Sequence, residues 1–222
     1  MSRVGDVRRR LAGEGPPRTR DHEGDFARVT LPERECDRLR DLLVAERAET
    51  VIEVGLAYAS SALAIGEALT IVGAARPRHV IIDPFQDSGF ANAGWDLMRD
   101  AGLDAIAELV PEFSSVVLPR LLSHGVTADA AFVDGSHRFH EVFVDFYFLR
   151  KIVRPAGLIL IDDADKPSVG AAVSYYVRNL GWAPIPGAFG DSGRCRAYRL
   201  PDPLFEPDFH DFAPFSGEPL SP

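Results

Sequence analysis

One segment constrains the fold more than any other, the run Val51–Leu63 with the sequence VIEVGLAYASSAL. An apolar stretch ends near an acidic residue, passes Gly55 and several small residues, and continues as an amphipathic helix. This order predicts a buried strand, a tight turn and a helix N-terminus, which α/β proteins use to hold an anionic or zwitterionic group. An ordinary buried strand that leads into a helix explains the segment equally well.

The glycine content of the same turn argues against a dinucleotide. The G-x-G-x-x-G fingerprint lets the backbone approach a pyrophosphate, and here Gly55 stands alone where several glycines would be required. A smaller adenosyl ligand with a methionine tail remains possible. The turn by itself therefore narrows the ligand without identifying it.

Composition excludes several classes of partner. The chain has 222 residues, with 24 Lys and Arg against 33 Asp and Glu, and a formal net charge of −9. Duplex nucleic acid is bound through Lys and Arg that neutralise phosphates, so we expect neither nucleic acid nor an anionic membrane surface as a partner. Two cysteines make no disulfide framework, and no apolar run approaches the roughly 20 residues of a membrane span. We expect a cytoplasmic protein.

Apolar strands alternate with helical segments along most of the chain. Strands are predicted at 51–55, 79–83, 106–110, 130–134, 158–161 and 194–200, and helices at 31–47, 60–71, 95–101, 115–123, 139–153 and 168–180. Continuous apolar strands between helices are typical of a mostly parallel sheet that is covered on both faces. Right-handed crossovers make such a sheet doubly wound. The sequence therefore predicts a doubly wound α/β fold.

The two ends of the chain differ from the middle in composition. Residues 1–27 are rich in Arg, Gly and Pro and predict a flexible N-terminal arm. The main domain is expected over 28–200, and 201–222 form a Pro/Phe-rich C-terminal extension. That extension predicts a strap over the site or, slightly more favoured, a subunit contact. We therefore expect a homodimer or a higher homo-oligomer.

Five acidic residues stand at the carboxyl ends of predicted strands: Glu53, Asp83, Asp134, Asp162 and Asp163. Ligands of open α/β sheets bind outside these strand ends, so we expect the five side chains to gather along one edge. Any single one of them can be explained as a helix cap. Five on successive strands are harder to explain in that way.

Asp83 follows Glu53 by 30 residues and ends the second predicted strand. A carboxylate at this place can accept both hydroxyls of a ribose. Because nicotinamide enzymes share the arrangement, it indicates a nucleoside without identifying the cofactor.

The sequence DGSH at 134–137 and the pair Asp162-Asp163 form a second cluster. Converging carboxylates repel each other strongly unless a cation lies between them. Oxygen ligands favour a hard ion such as Mg²⁺ or Ca²⁺. His137 would then be a base close to the metal, able to take the proton of a substrate hydroxyl. The alternative is that His137 caps or packs on the helix that follows.

These motifs resemble class I S-adenosylmethionine-dependent methyltransferases. The resemblance is carried by EVG at 53–55, DGSH at 134–137 and LRKIVRPAGLILIDD at 149–163. It extends over roughly 48–200 and is greatest to the metal-dependent O-methyltransferases of the macrocin and mycinamicin type, which act on sugar hydroxyls of natural products. The fold it implies is a seven-stranded Rossmann-like methyltransferase sheet.

The resemblance also implies roles for individual residues. Cofactor-binding positions would be Glu53, Gly55, Ala57, Tyr58, Ser61, Asp83, Phe113, Ser114 and Asp134. Metal ligands would be Asp134, Asp162 and Asp163, with His137 as the general base. The implied cofactors are S-adenosylmethionine and Mg²⁺ or another hard divalent cation. The implied substrate is a small molecule, a sugar or natural product, that is methylated on a hydroxyl.

One departure and three alternatives remain open. Ala59 stands where the family usually has glycine, and its methyl group crowds the cofactor turn. One alternative is a catalytically silent cofactor-binding or assembly module, with which the crowded turn is consistent. A second is a metal-independent N- or C-methyltransferase, in which the acids only order the turns. A nicotinamide-dependent oxidoreductase is the third alternative, and the missing glycines count against it.

Overall fold

The computed structural model describes residues 2–18, 26–190 and 193–215. The helices are α1 Arg3–Glu14, α2 Phe26–Val29, α3 Glu33–Glu46, α4 Ser60–Val72, α5 Ala93–Asp100, α6 Ser114–Ser123, α7 Phe139–Ile152 and α8 Pro167–Leu180. The strands are β1 Thr50–Val54, β2 Arg78–Ile82, β3 Ala107–Val110, β4 Ala128–Val133, β5 Val153–Ile161, β6 Ala183–Pro184 and β7 Arg196–Arg199. A short 3₁₀ turn, Leu103–Ala105, precedes β3.

The strands form a seven-stranded sheet with the order β3-β2-β1-β4-β5-β7-β6. The chain divides into two compact units, Met1–Ser114 and Ser115–Pro222, which we call the first and the second unit. In the first unit β1, β2 and β3 are parallel neighbours. In the second unit β4 and β5 are parallel, whereas β7 is antiparallel to both β5 and β6. The prediction of a mostly parallel seven-stranded α/β fold is confirmed.

The central strands are buried because most of their side chains are apolar on both faces. Four of the five residues of β1 and four of the five of β2 are buried, as are the last five of β5, whereas no residue of β3 or β6 is buried. Such central strands are typical of a parallel sheet with helices on each side.

The N-terminal segment differs from its prediction. Arg3–Glu14 form α1, whose residues Val4, Val7 and Leu11 are buried in the apolar core of the first unit. Their spacing places them on one helical face, and Arg8 on the same helix is in ion pairs with Asp37 and Glu67. The prediction of a flexible arm is wrong for α1, because the Arg-rich composition concealed this apolar stripe. The boundaries at residues 27 and 200 stay a prediction.

The start of the C-terminal extension is attached to helices of its own unit. Asn179 of α8 donates to the carbonyl of Ala213 at 3.0 Å and accepts from its N–H at 2.7 Å. Arg150 of α7 donates to the carbonyl of Phe205 at 2.7 Å and to Glu206 at 2.6 Å. These bonds fix residues 201–215 on the second unit, and a role of the extension in covering a site or a partner stays a prediction. Within the described ranges, the helices lack the length and apolar character needed to cross a bilayer.

Candidate active site

The turn between β1 and α4 is left-handed at three positions. Gly55, Ala57 and Ala59 have φ values of 97°, 44° and 65°. Ala59 is the N-cap of α4 and provides no side-chain hydrogen bond to the first turn. The first N–H groups of a helix need an outside acceptor, so this N-terminus, with its positive dipole end, suits an anionic ligand group.

Asp83 holds this turn from the end of β2. Its Oδ2 accepts the N–H groups of Leu56 at 3.0 Å and Ala57 at 3.1 Å, and its Oδ1 accepts the N–H of Phe85 at 2.8 Å. The side chain is buried and therefore acts first as a clamp on the backbone of two loops. Its proposed bonds to a ribose stay a prediction.

Gln86 also holds the turn in place, a role that the sequence analysis did not predict. Its buried Nε2 donates to the carbonyl of Ala57 at 2.8 Å and to Oδ2 of Asp83 at 3.0 Å. Gly94 lies so close that a Cβ there would collide with the Ala57 carbonyl. The loop 84–94 is thus packed directly on the turn between β1 and α4. In the sequence, a glutamine in a loop gave no signal of this role.

Glu53 and Ser61 belong to a buried polar group beneath the turn. Ser61 Oγ donates to Glu53 Oε1 at 2.5 Å, and His79 Nε2 of β2 lies 2.9 Å from Glu53 Oε2. The side chains of Glu53 and His79 are fully buried. Glu53 therefore supports the turn from below, and His79 is a further member of the site that sequence analysis missed.

The predicted aromatic and hydroxyl positions fall into two groups. Phe113 is 58% exposed and meets Phe85, 53% exposed, edge to face with ring centroids 5.8 Å apart. Ser114 is the first residue of α6. Tyr58 is buried, and its ring packs edge to face on Phe26 and Phe90. Phe85 and Phe113 thus present aromatic surface to solvent beside β3, whereas the Tyr58 ring is already enclosed by protein.

The second unit gathers Asp134, His137 and Asp163. One potential ligand atom from each lies within 4.8 Å of the other two. His137 Nε2 is 2.5 Å from Asp163 Oδ2, and its side chain is 52% exposed. Asp134 follows β4 and Asp163 follows β5, a parallel pair whose carboxyl ends lie together. The structure therefore groups three of the four residues predicted for the metal and the base.

Asp162 is held in a different way from its neighbour. Its buried carboxylate accepts from Arg194 Nε at 2.8 Å and Nη2 at 2.6 Å, and from Cys195 Sγ at 3.0 Å. The bond to Asp162 raises the pKa of Arg194, and burial together with the charge of Asp162 raises that of Cys195. The group of potential ligands described above does not include Asp162. Its predicted role as a ligand thus competes with an ion pair that already uses both oxygens.

The five acids do not behave as one set. Within the first unit Glu53 and Asp83 are buried and stabilise the turn between β1 and α4. Within the second unit Asp134 and Asp163 are partly exposed and Asp162 is buried. The expectation that all five gather at one edge stays a prediction.

Known structures share this fold over most of the chain. The O-methyltransferase TomG from Streptomyces achromogenes, involved in tomaymycin synthesis and solved with S-adenosylmethionine, has a TM-score of 0.65 at 17% identity, covering 90% of this chain and 89% of that one. The Bacillus cereus O-methyltransferase in complex with S-adenosylhomocysteine has a TM-score of 0.61 at 14% identity, covering 89% and 90%. The S-adenosylhomocysteine-bound methyltransferase PaMTH1 from Podospora anserina has a TM-score of 0.66 at 12% identity, covering 90% and 88%.

The family assignment comes from the sequence. A comparison with curated proteins gives no match. The family described as "Methyltransferase domain" matches residues 52–164, just over half of the chain. This range begins within β1, before the cofactor turn, and ends just after Asp163. The resemblance to methyltransferases is confirmed, and the chain belongs to this methyltransferase-domain family.

Proposed function

We propose that the protein transfers a methyl group from S-adenosylmethionine to a hydroxyl of a small molecule. The observation that carries the proposal is the close pair of His137 and Asp163 beside Asp134. A hydroxyl oxygen is a poor nucleophile until it loses its proton, and this group offers a base with an orienting carboxylate. The acceptor proposed from the sequence is a sugar or another natural product.

The cofactor is proposed to bind at the turn of the first unit. The start of α4, with no side-chain cap, would hold the carboxylate of the methionine end. Gly55 and Ala57 would line the turn, and Asp83 would orient it and face the ribose. Phe113 with Phe85 would contact the adenine, an apolar surface well suited to a flat ring. The solved relatives with S-adenosylmethionine or S-adenosylhomocysteine bound support this choice of donor.

Asp134, His137 and Asp163 also fit a divalent cation. Two carboxylates and an imidazole are ligands that hard and intermediate divalent metals accept. We propose that Asp134 and Asp163 hold Mg²⁺ or a similar ion, which when bound lowers the pKa of an acceptor hydroxyl. Asp163 orients His137 through Nε2, so that Nδ1 is left to take the hydroxyl proton.

A metal-independent reaction is the second candidate, and one observation favours it. Lys166 Nζ and Arg194 Nε each lie 4.0 Å from Asp163 Oδ1. These cations would balance part of the acidic charge without a metal ion. An N- or C-methyltransferase would then use the same residues only for positioning.

A small-molecule acceptor, a cytoplasmic location and a homo-oligomeric state remain part of the proposal.

Two measurements test the proposed function. Calorimetry with S-adenosylmethionine and mass spectrometry of the purified protein measure cofactor binding, and both should detect it. A panel of sugar, catechol and polyketide hydroxyls with isotopically labelled donor should then yield a methyl ether. Activity that is lost in EDTA and restored by Mg²⁺ would support the metal-assisted reaction, and full activity after chelation would support the second candidate. Absence of donor binding would refute both candidates.

A further inference from the structure

We propose that His79 is a positioning residue for cofactor binding, acting through Glu53 on the first turn of α4. The inference rests on the proposed function, because it concerns the affinity of the turn for S-adenosylmethionine. His79 lies on β2, outside the turn itself, and has no role in the chemistry proposed above. Its place in the fold nevertheless connects it to the residue that supports the turn.

Three buried side chains form a continuous connection. His79 Nε2 lies 2.9 Å from Glu53 Oε2, and Ser61 Oγ donates to Glu53 Oε1 at 2.5 Å. Ser61 is the second residue of α4. It follows Ser60, the first residue of the helix, and the left-handed N-cap Ala59. The connection therefore runs from the second strand, through the first, to the helix start that the methionine carboxylate would contact.

Burial makes the pairing of Glu53 necessary. A carboxylate removed from water is strongly unfavourable unless a positive group or several donors compensate it. His79 places a polar nitrogen beside Glu53 Oε2, while Oε1 keeps its bond to Ser61. Without His79, Oε2 would be buried without a polar neighbour, and Glu53 would turn away, so the acceptor for Ser61 changes.

The charge of Glu53 also matters for the ligand. An unbalanced negative charge beneath the start of α4 would repel an anionic carboxylate bound there. A His79 N–H directed at Oε2 would offset part of this charge, so that the positive end of the helix dipole acts mainly on the ligand. The affinity for S-adenosylmethionine should therefore depend on His79, whereas the step at the acceptor hydroxyl should not.

The experiment compares His79→Phe and His79→Gln with the wild type. Calorimetry gives the affinity for S-adenosylmethionine, and steady-state kinetics give KM for the donor and kcat. His79→Phe should weaken donor binding and raise its KM about ten-fold, the typical effect of leaving a buried polar group without a polar neighbour, with kcat at saturating donor unchanged. His79→Gln keeps an N–H donor for Glu53 and should recover part of the affinity. His124→Gln, an exposed histidine after α6, is the matched control and should behave as wild type.

Nitrogen NMR of the histidine side chains reports the pair without turnover. The Nε2 signal of His79 should report its contact with Glu53, and Ser61→Ala should shift that signal while those of His124 stay fixed. Folded His79 variants with wild-type donor affinity and KM would overturn the inference. A His79 signal that Ser61→Ala leaves unchanged, together with unaltered binding in His79→Gln, would also overturn it, even if His79→Phe fails to fold. A wild-type protein that binds no donor would instead refute the proposed function.

Discussion

Carboxylates have opposite roles in two regions of the molecule. One region is the turn between β1 and α4 in the first unit, and the other is the acid group Asp134, His137 and Asp163 in the second unit. In the turn, Asp83 is buried and accepts backbone N–H groups with both oxygens. In the acid group, Asp134 and Asp163 remain partly exposed, and Asp163 meets a half-exposed histidine. A buried carboxylate that accepts backbone N–H groups stabilises structure, whereas one that reaches solvent can bind a ligand or direct a proton. Burial and the kind of donor, more than the place at a strand end, distinguish the two roles.

Asp162 and Asp163 present this contrast in adjacent residues. Asp162 is buried and bound by Arg194 through two nitrogens, whereas Asp163 faces His137. Both residues follow the end of β5, and Asp163 has a positive φ of 52°, so the backbone is no longer extended where the two side chains separate. The following predictions test whether this division corresponds to chemistry on one side and stability on the other.

The largest effect is expected at the acid group. His137→Ala should lower kcat by about 10²- to 10⁴-fold, the range typical of general-base catalysis, because the acceptor hydroxyl keeps its proton. Asp163→Asn should lower it as well, since the orienting carboxylate is lost. Donor affinity by calorimetry and the thermal midpoint should stay near wild type. Unchanged kcat in His137→Ala would remove this residue from the mechanism.

The next effect concerns stability. Asp162→Asn should reduce the free energy of unfolding by about 3 kcal/mol, as expected when one partner of a buried ion pair is removed. One of the two oxygens that accept from Arg194 and the Cys195 thiol would become an NH₂ donor, and the negative charge would be lost. Urea denaturation measures the change, with Asp163→Asn as the matched control that should unfold near the wild-type midpoint. Equal stability of the two variants would contradict the division of roles.

Asp83 should behave like Asp162 and also affect the donor. In Asp83→Asn one carboxylate oxygen becomes an NH₂ group that faces backbone donors, so we expect a loss of about 2 kcal/mol in the free energy of unfolding. The turn would also relax, and the affinity for S-adenosylmethionine should fall. Denaturation and calorimetry on the same preparation separate the two effects. A stable variant with weakened binding would instead indicate that Asp83 acts mainly on the ribose.

The sequence was sufficient to predict the central elements in their order, because burial of parallel strands requires long apolar runs, but it did not predict α1, α2 or β6. The segments predicted for β1, α4 and α7 agree with the structure to within one residue at each end. Composition misled at α1, where Val4, Val7 and Leu11 form an apolar stripe among arginines. Local patterns determine strands and helices, so a stripe of three residues was too short to stand out.

The partners of the site residues were less predictable. Arg194 is 32 residues from Asp162, and His79 is 26 residues from Glu53, in both cases on another element. Such pairs depend on packing between distant segments, which no spacing along the chain encodes. Ala59 was the exception. The family resemblance places glycine at this left-handed position, so the alanine could be noticed in the sequence.

That alanine leads to a smaller predicted effect. Ala59→Gly should stabilise the protein by about 1 kcal/mol, because a left-handed backbone is unfavourable for a residue with a Cβ. Ala156→Gly is the matched control, since Ala156 also has a positive φ, 56°, and lies in β5 of the second unit. Both variants should gain stability, and only Ala59→Gly should alter donor affinity. Equal affinity changes in the two would mean that the crowded turn is not part of the cofactor site.

The smallest predicted effect tests whether a carboxylate whose oxygens accept hydrogen bonds stabilises the protein without being buried. Glu206 is 64% exposed, yet its carboxylate accepts from both Arg150 and Lys151. The bond from Arg150 lowers the pKa of Glu206 in the folded protein, so its contribution to stability exists above the unfolded pKa and disappears as pH falls through the folded value. Glu206→Gln should cost below about 1 kcal/mol at neutral pH, as exposed pairs do, and nothing at acidic pH. Denaturation at both pH values tests this, and a cost as large as that of Asp162→Asn would show that occupied oxygens stabilise without burial.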